Sequence, residues 1–200
     1  MKKIGILDYQ CSNVFNLKKV INSLEGKTAT IVASGSQLQK YDILILPGVG
    51  SFPHAMSKIK LNGLDKSILK FSESGKKIIG ICLGMQLLFD YSEEIERTDG
   101  LGLIPGSVKY LGDLNENLKL PNVTWSKTKF SNRIKSEEIY LYYNHSYMCV
   151  PKESSDFIAT TNFCNSQFCA AVQKDNIVGF QFHPELSSQD GIELLSSFLE

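Results

Sequence analysis

The pentapeptide Gly80-Ile81-Cys82-Leu83-Gly84 leaves this chain few folds to choose from. An apolar run, Ile78-Ile79-Gly80-Ile81, leads into it, and Met85-Gln86-Leu87-Leu88-Phe89, which reads as a helix, leads out. Strand, sharp turn and helix in that order make the glycine–x–nucleophile–x–glycine elbow, here with Cys in place of the commoner Ser. Glycines two before and two after the thiol remove the Cβ atoms that would collide as the chain doubles back. The expectation is a surface elbow that aims the Cys82 sulfur at the rim of a sheet, at the start of a helix. A buried, inert cysteine is the competing reading, because free Cys is among the most buried residue types.

The surrounding pattern supports a sheet with helices on both faces. Residues 3–8, 28–33 and 41–46 read as strands, and 13–24 as a helix with Val14, Leu17, Val20, Ile21 and Leu24 on one side. Helical segments fill 52–71, broken near Asn62-Gly63. This alternation predicts an α/β fold: an open, mostly parallel twisted sheet, flavodoxin-like. From Ser107 onward the pattern shifts to short strands. Segments 139–143, 157–161, 169–173 and 177–182 predict a small antiparallel β addition in the C-terminal half, and 191–199 a closing helix.

With 200 residues, one domain (1–200) is expected, large enough to bury its own core. Basic and acidic residues balance at 21 each, which gives no electrostatic case for nucleic acid or an anionic membrane. The longest uncharged apolar stretch, 78–89, is far short of the roughly 20 residues a bilayer needs. Asp8 interrupts before an apolar leader can form, and the five cysteines then fit a reducing cytoplasm.

A nucleophilic thiol needs a base, and the base needs a group to hold it. Gln181-Phe182-His183-Pro184-Glu185 follows a strand-like run, so His183 and Glu185 are expected to share one side of extended chain. They supply base and orienting acid at minimal spacing. A surface pair or a metal fragment is the alternative. Metal is disfavoured, because the chain holds three His and no C-x-x-C pair. A third element, Pro47-Gly48-Val49-Gly50-Ser51, ends the strand-like run 41–46. Its glycines allow backbone N–H groups to face a substrate, and an ordinary glycine-rich turn is the plain alternative. All three elements fall at strand ends, where open α/β sheets gather their ligands.

These strings carry a resemblance. Ile6-Leu7-Asp8-Tyr9 with Asn13, the Pro47–Ser51 turn with Phe52, the Cys82 elbow with Met85-Gln86-Leu87-Leu88, Gly100-Leu101-Gly102-Leu103-Ile104-Pro105-Gly106, His145-Ser146-Tyr147 and Gln181–Glu185 stand in one order. In that order they resemble the class I, triad-type glutamine amidotransferases, and among these the glutaminase subunits of imidazole glycerol phosphate synthase. The likeness covers essentially the whole chain. Three segments depart from the pattern. Gln10 and Ser12 stand where that group has glycines, Asn122, Thr124 and Ser126 where it has His, Gly and Asn around Trp125, and Leu186 where it has Lys. In the family these segments meet the synthase subunit or line the rim of the site.

The resemblance implies that Cys82 attacks L-glutamine, His183 moves the proton and Glu185 orients His183. Backbone N–H groups of Leu83 and of Val49 or Gly50 would hold the oxyanion. Gly48, Gln86, His145, Ser146 and Tyr147 would hold the substrate. The Gly-flanked turn is expected to rest with its N–H turned away until a partner flips it. No cofactor and no metal are implied. The implied partner is a (βα)8-barrel synthase subunit, in a heterodimer that receives the ammonia. Other readings stay open at this point. They are a paralogue serving surface-sugar amidination, a thiol peptidase or γ-glutamyl hydrolase, a pyridoxal-phosphate-synthase-type glutaminase, and a binding module with a vestigial site.

Overall fold

The computed structural model describes residues 2–131, 134 and 138–200. The first half of the chain builds β1 (Ile4–Leu7), α1 (Val14–Ser23), β2 (Ala29–Val32), β3 (Ile43–Gly48), α2 (Phe52–Leu61), α3 (Leu64–Glu73) and β4 (Lys77–Cys82). The helix break falls at Asn62-Gly63, as the sequence indicates. After β4 comes α4 (Leu83–Leu87), which stops two residues short of the expected end, because Phe89 already opens β5 (Phe89–Ser92). Then follow β6 (Thr98–Asp99), β7 (Ile104–Tyr110), β8 (Asn122–Phe130), β9 (Ile139–His145), β10 (Tyr147–Pro151), β11 (Phe157–Phe163), β12 (Ser166–Lys174), β13 (Ile177–Phe180) and α5 (Ser188–Phe198).

Among the described residues the main sheet runs β2-β1-β3-β4-β13-β12-β11-β8-β9. Its first five strands are parallel, and from β12 outward each neighbour is antiparallel. The antiparallel addition is therefore hydrogen-bonded onto the parallel sheet through β13, and it includes β8, a strand the sequence pattern did not reveal. A separate four-stranded sheet runs β10-β7-β5-β6.

The inner parallel strands β1, β3, β4 and β13 are buried on both faces, which is why they read as unbroken apolar runs, while the edge strand β2 is partly exposed. Period-two alternation still divides them. Ile4, Ile6, Ile43, Ile45, Ile79 and Ile81 pack toward α1 and α5, while Leu7, Leu44, Leu46 and Ile78 pack toward α2, α3 and α4. Each such side chain contributes about 1.5–3 kcal/mol by leaving water. This double core rigidly fixes the C-terminal ends of β1, β3, β4 and β13 along one edge. No helix among the described residues is long and apolar enough to cross a membrane.

Candidate active site

Parallel register places Gly48 opposite Cys82, so the turn after β3 and the elbow after β4 stand side by side. Cys82 itself adopts φ 54°, a left-handed conformation that a non-glycine residue holds only when its surroundings force it. The elbow packs too tightly for side chains at either glycine. A Cβ on Gly80 would meet the carbonyl group of Gly84 at 2.6–2.7 Å, and one on Gly84 would overlap the carbonyl of Leu46. Cys82 is only 5% exposed, so the expected surface elbow is instead the floor of a recess. Its thiol donates to the Asn144 carbonyl at 3.7 Å, and Gln181 Nε2 donates to the sulfur at 3.9 Å.

His183 and Glu185 meet, with Nδ1 2.9 Å from Oε1, but not as neighbours on a strand. The strand β13 ends at Phe180, and Pro184–Leu186 forms a 3-10 turn. Proline suits the first position of such a turn, because its fixed φ is already helical. The turn is anchored by the His183 N–H on the Tyr142 carbonyl (2.9 Å) and by Ser187 Oγ on the His183 carbonyl (2.6 Å). Burial alone would lower the His183 pKa. The charge and hydrogen bond of the Cys82 sulfur, then those of Glu185, outweigh it and raise the value to about 11. The sulfur and the carboxylate thus favour the imidazolium that forms once His183 takes the Cys82 proton.

Two recesses flank this pair. The first, about 260 Å³, is lined by Gly50, Cys82, Leu83, Gln86, His145, Ser146 and Tyr147 together with Glu94. The second, about 170 Å³, is lined by Gly48, His183, Glu185, Leu186, Asn13 and Tyr142. Val49 and Asn144 border both. The residues expected to act as catalytic, oxyanion or substrate groups therefore all lie at one of the two recesses, with Gly48 on the His183 side, whereas Gln10, Ser12, Asn122, Thr124, Trp125 and Ser126 line neither.

The Val49 N–H is turned away in this conformation, the resting arrangement expected of a Gly-flanked turn. The Val49 N–H donates to the Cys11 carbonyl at 2.8 Å, so it does not face the Cys82 sulfur. The glycine-flanked turn rests with this donor occupied elsewhere.

Polar groups tie the first recess together. Gln86 Nε2 donates to the Tyr147 carbonyl (3.1 Å) and to Gln181 Oε1 (3.2 Å), which leaves Gln86 Oε1 for a ligand. His145 Nδ1 lies 2.8 Å from the Tyr147 carbonyl, and Asn122 Nδ2 lies 3.0 Å from its Nε2. Burial, helped by the nearby charge of His183 and opposed by the Tyr147 carbonyl, lowers the His145 pKa to about 4. Sequence reading missed Gln181, Asn144 and Glu94. Glu94 brings a carboxylate to the recess, where burial raises its pKa and a 2.7 Å hydrogen bond from the Phe52 N–H partly offsets the rise. Gln181 could have been found, since it stands two residues before His183 in the same motif. Glu94 gave no local signal. Trp125 is half exposed on β8 and packs at a tilt against Tyr142, 5.9 Å between ring centroids.

The model of the Glutamine amidotransferase class-I family matches residues 6–200. The chain belongs to this family. Its relatives include two proteins named imidazole glycerol phosphate synthase subunit HisH. The one from Chlorobaculum tepidum is 36% identical over 202 residues, covering 98% of this chain and 99% of the relative. The one from Wolinella succinogenes is 39% identical over 206 residues, covering 98% of both. Among solved structures, PurLQS from Thermotoga maritima superposes with a TM-score of 0.77 at 23% identity, over 100% of this chain and 98% of that one. At that identity the likeness shows the fold alone. As a class I glutamine amidotransferase the chain is a glutaminase-type enzyme, which removes the peptidase and vestigial-module readings.

Proposed function

We propose that this amidotransferase is the glutaminase subunit of an imidazole glycerol phosphate synthase. As one domain working in the cytoplasm, it hydrolyses L-glutamine and passes the ammonia to a (βα)8-barrel synthase subunit. The observation that carries the mechanism is the convergence of a strained Cys82 with the His183–Glu185 pair at one sheet edge. The sulfur attacks the side-chain amide carbon of glutamine, and His183 takes the thiol proton. His183 then gives that proton to the departing nitrogen as the C–N bond breaks, so ammonia leaves and a γ-glutamyl thioester remains. Water, deprotonated by His183, cleaves the thioester and restores the thiol. Glu185 keeps the imidazole in position and stabilises its charge.

The Leu83 N–H supplies one oxyanion donor. The second is the Val49 N–H, next to Gly50, once it leaves the Cys11 carbonyl. A missing donor of this kind costs about 10²–10³ in rate, which supports a slow resting enzyme switched on by its partner. Gly48, Gln86 and the His145-Ser146-Tyr147 segment position the substrate, and the Glu94 carboxylate suits its ammonium group.

The test is a double-mutant comparison. Cys82→Ala and His183→Asn should each abolish glutamine hydrolysis, and the double variant should be no worse, since groups acting as a unit are non-additive. A glutamine-derived chloroketone should label Cys82 and spare Cys11, Cys149, Cys164 and Cys169. Additive losses, or label on another cysteine, would overturn the assignment.

A further inference from the structure

The Pro47–Gly50 turn is held at two places by unlike bonds. At its start the Tyr9 hydroxyl donates to the Pro47 carbonyl at 2.6 Å. Two residues later the Val49 N–H donates to the Cys11 carbonyl at 2.8 Å. The first bond is buried, with Tyr9 1% exposed, whereas Val49 is 51% exposed. A dry hydrogen bond finds no water to replace its partner, while one at the surface can exchange with water or with a docking protein. Desolvation, reinforced by Cys11 and Cys82, pushes the Tyr9 pKa well up, so its proton stays available to donate.

Space around the turn follows the same asymmetry. A Cβ on Gly48 would run into the Tyr9 hydroxyl and lie 3.0 Å from Leu83 Cβ. Around Gly50, at φ 103°, nothing lies within 4 Å of the Cβ position. The turn therefore has a wedged end beside the nucleophile and an open end beside solvent.

The geometry points to Tyr9 as a positioning residue: its hydroxyl pins Pro47, so that when the turn rearranges, only the peptide carrying the Val49 N–H rotates and that N–H arrives at the oxyanion. Without the pin, rotation spreads back through Pro47 and Gly48, and the donor arrives out of line. This rests on the glutaminase reading above and adds a residue that never touches the substrate.

The experiment compares wild type, Tyr9→Phe and Cys82→Ala in glutamine hydrolysis by the chain activated by a bound (βα)8-barrel synthase subunit, the state in which the turn has rearranged. It also measures how well glutamine protects Cys82 from iodoacetamide, followed by peptide mapping. Removing one hydroxyl should lower kcat by about 10²-fold, as for loss of one oxyanion donor, with protection by glutamine unchanged. Placing 4-aminophenylalanine at position 9, which restores a donor, should recover most of that loss. A packing role would lower protection and kcat together, and that result overturns the pin, as does an unchanged kcat in Tyr9→Phe beside an inactive Cys82→Ala. Full activity in Cys82→Ala would instead sink the glutaminase reading itself. If Tyr9→Phe does not fold, 3-fluorotyrosine at position 9, which keeps the ring and shifts the acidity of the hydroxyl, takes its place. A change in kcat with protection by glutamine unchanged is then expected, and its absence overturns the proposal.

Discussion

A carbonyl can only accept, so the contact from His145 Nδ1 to the Tyr147 carbonyl places the proton on Nδ1. Nε2 then accepts from the Asn122 amide. Both ring nitrogens are satisfied only in the neutral form, which agrees with a pKa lowered from 6.5 to about 4. In the unfolded chain the same ring charges near its ordinary value. Below about pH 6.5 the unfolded state therefore binds the extra proton, and stability is lost until the folded pKa near 4 is passed. The contribution is about 3 kcal/mol. His145→Gln should flatten the fall in unfolding free energy between pH 7 and 4.5 by about that amount in urea titrations. An equal slope in both proteins would show that His145 is not held neutral. His183 has the opposite sign: its raised value stabilises below 6.5, and that gain fades as pH climbs toward 11.

At the level of elements, the loop after β1 shows what the departures from the family pattern cost. Gln10 takes φ 69°, a left-handed conformation that a glycine holds freely and that costs other residues about 1–2 kcal/mol. Gln10→Gly should raise the unfolding free energy by about 0.5–1 kcal/mol once the flexibility gained by the unfolded chain is counted. No gain would mean that the Gln10 N–H bond to Asp8 Oδ1, 2.9 Å, already compensates. The parallel half of the sheet was legible in the sequence, because strands buried on both faces announce themselves as apolar runs. The strands β5, β6, β7, β8 and β10 were not. β8 alternates buried and exposed residues around polar Thr124, Ser126 and Thr128, so its apolar content is low. β6 is only two residues long. For the site, Cys82, His183 and Glu185 were readable from spacing within short motifs. Asn144 and Glu94 were hidden, because they reach the recess from strands or loops that meet the elbow only in the folded molecule. The H-P-E geometry was misread as extended chain because Pro184 permits both a strand and a tight turn.

Across the whole molecule, Val49 and Leu186 stand about half exposed at the second recess, and the half-exposed Trp125 packs against Tyr142, which also lines it. Exposed large apolar side chains beside a recess are where a partner would dock. Trp125 is the only tryptophan, so it reports on docking directly. Titration with a (βα)8-barrel synthase should shift its emission to shorter wavelength in step with a rise in glutamine turnover. Activation with no change in emission would place the partner on another face. The order of strands also bears on synthesis. β13 pairs with β4 from Ile177↔Ile78 to Phe180↔Ile81, joining segments made far apart in time. At about 5–20 residues per second, His183 leaves the ribosome on the order of 5–20 s after Cys82. Until then the growing chain holds a thiol with no base, and a half-made copy releases no ammonia into the cell.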